Sequence, residues 1–565
     1  MMTLLDEKPR LAHVAQSFLY GWGLLALGVV HAQTNSTPGD ISRQLEPARP
    51  AELPALQLQP QRITQPSKPK PGEALVRVQH WVLQGNSILA DEALRTLLLP
   101  FTRVELSMPQ IREAAALVQQ AYEDAGWLVR VDVPPQDVTS GSVRLQIVEA
   151  RMGEVRLEPS ATTRVAPERL RAWVHAQQPS GQPLNKSALD RGLLLADDLS
   201  GVSLVGTLQA SAQPSTTDVI LSAAAEPAYG LDVSADNSNA RSVGANKLSV
   251  SVAWASPLGF GESFSAQAFK SEGSDYLRLG AVFPLGYSGL KASVNLSQLD
   301  YKIITPDADG RKQDINGRSQ SASVDLSYPL LRTQPANVYL TAGLEDRHYQ
   351  GHANGQLNSQ YFVQGRSIGL MGNFFDSWGG SAANSYSLSW RQGRVQSGQV
   401  QVNADVAGRF DKTSWSFSRQ QTLRGDLSLF AAINGQNTGS KVLDGSENFM
   451  LGGPGGVRAY PVSEATGPQG RMINLELRWR LSPQWLVTPF YDQGRVEKRS
   501  ADALRSYNLQ GTGVMVTWTG SGGWMTRATL AHRLGSNPNA NAQTGQDQDG
   551  SLDKNRLWLT ASRAF

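Results

Sequence analysis

From about Tyr229 to the last residue, side chains alternate between apolar and polar with a period of two. Leu248, Val250, Val252 and Trp254 share one face of an extended segment, and Ser249, Ser251 and Ala253 share the other. Tyr386, Leu388 and Trp390 alternate with Ser387, Ser389 and Arg391; Val514, Val516 and Trp518 alternate with Met515 and Thr517. Ile473, Leu475, Leu477 and Trp479 alternate with Asn474, Glu476, Arg478 and Arg480. This is the pattern of strands with two unlike faces. A soluble β-sandwich or propeller would alternate too, with its polar face in water. Here the apolar face carries Trp and Tyr at strand ends, as an interfacial girdle does. Long polar loops (304–318 and 536–550) alternate with short turns such as 284–289. The expected fold is a transmembrane β-barrel, apolar towards lipid and polar towards a wet lumen.

Lipid leaves few other choices. No stretch beyond the first thirty residues is long and apolar enough for a spanning helix, and a sheet in lipid must close on itself to satisfy its edges. Residues 227–565 number 339. At roughly 20 residues per strand with its connection, they give about 16 antiparallel strands. Such a barrel encloses an aqueous lumen. The last strand, 556–565, ends in Phe565, the candidate assembly signal.

The N-terminus fits export. Lys8 and Arg10 precede an apolar run from Phe18 to Val30, and Val30-His31-Ala32 offers a small-residue cleavage site. Residues 1–32 are therefore expected to be a signal peptide. Residues 33–73 read as a short helix, Asp40 to Leu45, followed by a linker with Pro at 47, 50, 54, 60, 66, 69 and 71. The chain carries no Cys, which rules out disulfides, thiolate metal sites and Cys nucleophiles. With 52 basic and 49 acidic side chains it is not a strongly basic nucleic-acid binder.

Between linker and barrel the period changes twice in the same order. Residues 74–86 are strand-like, and Ala90–Leu98 fits a short helix. Ser107 can cap a longer helix over 110–126, with Pro109 in its first turn and Gly126 at its end. Strands follow over 127–133 and 143–148. Then 154–158 is strand-like, 166–175 and 184–199 helical, and 202–209 and 217–221 strand-like. Two α+β modules of about 75 residues, 74–150 and 151–226, thus stand in tandem.

The most specific residues lie late in the chain: Val457-Arg458-Ala459-Tyr460, preceded by SENFMLGGPGG, and Phe490-Tyr491-Asp492-Gln493-Gly494. With the tandem modules they resemble two-partner secretion transporters, the TpsB proteins of haemolysin/haemagglutinin-activator type. The modules then correspond to POTRA domains 1 and 2. The resemblance implies that a loop around 450–470 folds back into the lumen with Val457–Tyr460 at its tip. It also implies that Arg458 pairs with Asp492 on a barrel strand flanked by Phe490 and Gly494. An Arg fork matches a carboxylate and is costly to orphan in a desolvated lumen. Glu476, on the polar face of its strand, is a candidate third member. The family usually has Gly where this chain has Ala459, so the tip is expected to sit slightly differently, since a Cβ restricts positive φ.

The resemblance implies an outer-membrane translocator with its modules in the periplasm. Its implied partners are a large secreted TpsA-type exoprotein, outer-membrane lipid, and the barrel-assembly machinery for insertion, with no nucleic acid and no cofactor. Other readings of the same residues are an outer-membrane insertase and a passive porin. A porin gives no reason for the tandem modules; insertases usually carry three or more. No enzyme is expected. There is no HExxH and no metal cluster among the seven His, and Gly365-Arg366-Ser367-Ile368-Gly369 lies in strand-like alternation rather than at a strand–turn–helix elbow.

Overall fold

The computed structural model describes residues 75–306, 311–400, 404–462, 464–500 and 503–565, together with Pro38, Ser42 and Arg43. The expected signal peptide and proline linker lie outside these residues.

The first module holds β1 (Leu75–Val78), β2 (His80–Gln84), α1 (Asp91–Leu98), β3 (Val104–Ser107), α2 (Met108–Asp124), β4 (Val129–Asp132) and β5 (Ser142–Glu149). The Gln110 side chain accepts the Ser107 amide at 2.9 Å, fixing the start of α2. Ile111, Ala115, Val118 and Tyr122 then fall on its buried face, against Val143, Leu145 and Ile147. The strand expected over 74–86 is in fact two. It breaks at Gln79: β1 pairs with the unforeseen β3, and β2 runs parallel to β5. The cause is tertiary: Gln79 and His80 both donate their amides to Gly141 O, so the chain changes sheets there.

The second module repeats the order with β6 (Arg151–Leu157), α3 (Pro167–Gln177), α4 (Lys186–Asp197), β7 (Val202–Ala210) and β8 (Thr216–Ala225). Asn185 caps α4, accepting the Ala188 amide at 3.0 Å. The sheet order is β6-β8-β7, leaving β7 as a nine-residue edge. Trp173, Leu170 and Val174 of α3 and Leu195 of α4 fill the core above Val219 and Leu221.

The rest closes into a barrel of sixteen antiparallel strands, from β9 (Tyr229–Asp236) to β26 (Asn555–Ala564). Two-residue β20 (Phe449–Met450) and β21 (Thr466–Gly467) pair with each other outside the barrel ladder. The alternation predicted from sequence sets the wall. Leu296, Val324, Leu344, Ile368, Leu475 and Leu530 are exposed on its outside, whereas Asn474, Glu476 and Asp492 are buried inside. Trp254, Trp479, Trp485 and Trp524 stand on the outer face near the module-side strand ends. The lumen is not polar throughout. Near the far end, Tyr349, Tyr361, Val363, Val395 and Phe410 point inward and pack on Leu443, because strands such as β15 (Ala336–Ala353) and β16 (Gln356–Asp376) outrun the membrane and there support folded loops.

The second module sits on three module-side turns of the barrel. Arg332 grips Asp198 with Nε and Nη2, both at 2.9 Å. Lys291 Nζ donates to Asp198 O at 2.8 Å and Arg191 Nη2 to Pro329 O at 2.8 Å. The Trp173 and Tyr287 rings meet edge-on at 5.7 Å.

Candidate functional site

The loop between β19 (Leu427–Asn437) and β22 (Gln469–Arg480) turns back into the barrel. Its packing explains why. Leu451, Val457, Ala459, Tyr460 and Ala465 are buried with the wall residues Met472, Phe490, Val496 and Leu509 in one apolar cluster. The loop folds on itself first: Val457 donates its amide to Leu451 O at 2.6 Å, and Leu451 and Gly452 bond to Ala465 O and Glu464 O. Gly494, on β23 (Trp485–Ser500), lets Leu451 approach; a Cβ there would lie 2.4 Å from Leu451 Cδ2.

At the tip Arg458 is almost fully enclosed. Its Nη2 and Nε donate to Asp492 Oδ1 and Oδ2 at 2.7 and 2.9 Å, and its backbone amide adds a third bond to Oδ2 at 3.0 Å. Nη1 reaches Glu476 Oε1 at 2.8 Å. The guanidinium carbon lies 3.6 Å from the centre of the Phe490 ring. The wall register produces this convergence. Asn474 and Asp492 are directly opposite on β22 and β23, as are Glu476 and Phe490, so all four point at one spot of the lumen. Asn474 Nδ2 steadies Asp492 Oδ1 at 2.8 Å, and Arg478 Nη2 neutralises the other Glu476 oxygen at 2.7 Å. Every oxygen of this buried carboxylate pair thus has a donor, the condition under which buried ions are tolerated.

Ala459 does not take a positive φ, so the expected displacement of the tip has no cause. Its methyl group uses space left by Gly511 on β24 (Ala503–Thr519), where a Cβ would come within 2.6 Å of it. Tyr460 is buried, with the Arg533 guanidinium 4.4 Å from its ring centre. Phe565 follows β26, donates its amide to Leu231 O at 2.8 Å, and lies under Arg563 with its ring exposed.

Three further anchors were not singled out from sequence, and a fourth involves residues of the helix expected over Asp40–Leu45. Trp558 of β26 donates its indole N–H to Arg458 O at 2.8 Å, tying the tip to the last strand. Glu464, fully buried, accepts from Asn537 Nδ2, Asn539 Nδ2 and the Gln548 amide at 2.8, 2.9 and 3.1 Å, which fastens the loop's return leg to the loop after β25 (Trp524–Arg533). Glu447 meets Lys412 Nζ at 2.8 Å and Arg391 Nη2 at 3.2 Å. Pro38, Ser42 and Arg43 are helical and lie inside the barrel: Ser319 Oγ donates to Ser42 Oγ at 3.1 Å, and Arg43 is in electrostatic reach of Glu447, Arg347 and Arg391. Period-two alternation could have placed Trp558 inside; nothing local marks Glu447 or Glu464. Gly365–Gly369 runs straight along β16 with no turn, so it forms no nucleophile elbow. Among the described residues no cluster of three or more His, Asp or Glu could hold a metal.

A sixteen-stranded barrel with paired α+β modules on one rim and a loop seated in its lumen defines a class: outer-membrane transporters with periplasmic POTRA domains. Residues 215–518 match the haemolysin secretion/activation proteins ShlB/FhaC/HecB, and residues 76–150 match the ShlB-type POTRA domain. The first match spans more than half of the chain, which therefore belongs to that family. The heme/hemopexin transporter protein HuxB of Haemophilus influenzae is 23% identical over 99% of this chain and 100% of its own. The outer membrane transporter CdiB of Dickeya dadantii is 23% identical over 66% of this chain and 67% of its own. The solved structure of CdiB from Escherichia coli superposes with a TM-score of 0.74 at 20% identity, covering 91% of this chain and 94% of that one. The chain is an outer-membrane transporter of two-partner secretion, and its POTRA domains face the periplasm.

Proposed function

We propose that this transporter receives one large exoprotein, unfolded, at its POTRA domains and passes it through the barrel once the lumen loop has moved. The observation that carries this reading is the clasp of Arg458 by Asp492 and Glu476. A loop fixed by a fully satisfied ionic anchor fills the path, so passage requires the anchor to open. The nine-residue edge of β7 is the surface to which an extended segment of cargo would add as a strand. Relatives named as a heme/hemopexin transporter protein and as an outer membrane transporter are in keeping with a role in passing cargo across the outer membrane.

The division of the chain follows the same reading: export signal 1–32, helix and linker 33–73, POTRA domains 74–150 and 151–226, barrel 227–565. Phe565 serves as the signal by which barrel-assembly machinery inserts the chain. No energy source is encoded; the dipeptide Gly-Lys of a phosphate-binding loop does not occur, and folding of cargo outside supplies the drive. No catalytic step takes part.

The test is deletion in the native host, followed by complementation. Restoring the chain should release one large exoprotein, and Arg458→Ala should not. Undiminished export by Arg458→Ala and Asp492→Ala alike would refute the role given to the loop. Loss of other outer-membrane barrels on deletion would instead point to an insertase.

A further inference from the structure

One group of charges on the outer wall is left unbalanced by its neighbours. Arg366 of β16, Arg394 of β17 (Ala382–Ser397) and Arg409 of β18 (Gly408–Arg424) all point outward and are exposed. Arg394 stands directly opposite Arg409 in the ladder. Like charges so placed destabilise a strand pair unless something lies between them. Arg366 is opposite Gln392, to which it donates at 2.6 and 3.2 Å. The nearest outward carboxylates are one step out of register: Asp346 is opposite Gln364, and Asp411 is opposite Gln392. Among the described residues none of the three arginines forms an ion pair. Other cations near the same ends of the strands do: Lys270 with Asp275, Lys302 with Asp314, Arg318 with Asp300, Arg495 with Glu497.

Height in the membrane identifies what these arginines meet. On the periplasmic side the wall is marked by Arg419, Asp376 and Asn384, joined by bonds of 2.6 to 3.0 Å. Tyr386, Leu388 and Trp390 follow on the outer face of β17, and Gln392 and Arg394 come next. Asn384 and Gln392 are eight positions apart. At about 2.5 Å per residue along the normal of a tilted strand this is about 20 Å, close to the apolar band of about 25 Å. The three arginines therefore stand at the level of the outer-leaflet headgroups. A shallow depression of about 700 Å³ leads to them along the wall. Its far end is apolar, at Val294, Leu296 and Val324, with Leu296 and Val324 at the middle of their strands; its near end is Arg394 and Arg409.

We infer that this depression is a binding site for a phosphorylated glycolipid of the outer leaflet. Its phosphate lies between Arg394 and Arg409 with Arg366 beside it, and an acyl chain follows the apolar floor. Guanidinium forks suit phosphate geometry, and a charge-assisted contact at the membrane surface is only partly screened. The anion also removes the Arg394–Arg409 repulsion.

The experiment uses the full-length protein in a non-ionic detergent, with lipid A carrying both phosphates, the same lipid without phosphate, and inorganic phosphate as probes. Bound lipid is measured by native mass spectrometry across a titration. Wild type is expected to bind the phosphorylated lipid roughly tenfold or more tightly than its phosphate-free counterpart. R366Q/R394Q/R409Q is expected to lose that preference, and Arg318→Gln, removing a paired arginine at the same rim, to keep it. Equal binding by wild type and the triple variant overturns the inference, as does displacement by inorganic phosphate at the same concentration. Heat-modifiable migration reports that each barrel is folded; should the triple variant lose it, R394Q alone is read by the same criterion.

Discussion

Arg458 works as an anchor because each of its partners is itself held. Asp492 has Asn474, Glu476 has Arg478, and Phe490 supplies the ring beneath the guanidinium. Truncating one member leaves a buried charge without its counterion, which costs about 3–5 kcal/mol. Asp492→Ala should therefore free the loop and raise single-channel conductance in planar bilayers. The Arg458→Ala/Asp492→Ala double variant should be less destabilised than the two single effects summed; strict additivity would mean that the two residues do not act together. Gly511→Val tests the tip by bulk alone. With Ala459 Cβ 2.6 Å from the new Cβ, overpacking should cost about 1–3 kcal/mol and lower the unfolding temperature, whereas Gly511→Ser should cost less. The Arg458–Asp492 pair was reached through the family resemblance that Val457–Tyr460 and Phe490–Gly494 carry, and Glu476 was a candidate because it lies on the polar face of its strand. Glu464 and Glu447 were not. Each is one acid in an irregular loop, and only the fold brings Asn537, Asn539, Lys412 and Arg391 to them.

Elements were read more securely than their breaks. Helices and strands of both POTRA domains follow from period, caps and terminal glycines, but the break at Gln79 depends on Gly141, sixty-two positions later. A carboxylate ties the first domain together in a comparable way. Glu149, at the end of β5, accepts the amides of Ser87 and Ile88 at 2.7 and 2.9 Å, the Tyr122 hydroxyl at 2.9 Å, and the Ser87 hydroxyl. Burial raises its pKa, but these donors outweigh burial and hold the carboxyl below its usual range. Its stabilisation is thus complete above the unfolded value of about 4.3 and is lost as pH falls below it toward the folded value. The protection of the Ser87 and Ile88 amides, taken as the ratio of intrinsic to observed exchange rate at each pH, should hold steady above about pH 4.3 and fall below it in wild type, and change much less in Glu149→Gln; an identical response in both would remove Glu149 from the account. At the other interface, Arg332→Ala should loosen the second domain from the barrel, seen as faster proteolysis between Ser200 and Ala228. Arg332→Lys, lacking the fork for Asp198, should restore little of the protection.

At the scale of the molecule, the lumen loop links parts of the wall that are far apart in sequence. Its tip is clasped by β22 and β23, touches Gly511 of β24, and bonds through Arg458 O to Trp558 of the last strand. That last strand closes the barrel against β9 by only five register pairs, extended by Asn237, whose side chain bonds Leu557 O and the Leu559 amide at 2.9 and 2.8 Å. Closure of sixteen strands was legible from length and alternation; the short seam and its link to the loop were not, because they depend on register. The central claim is that the loop must leave the lumen for cargo to pass. The chain has no Cys, so Ala459→Cys/Gly511→Cys would create a single possible disulfide between tip and wall. Their Cβ positions are 2.6 Å apart, about 1 Å inside the usual disulfide spacing, a shift a loop tip can absorb. Export by this variant should stop under oxidant and resume with reductant, while either single variant is indifferent to both. Continued export with the cross-link intact would contradict the account.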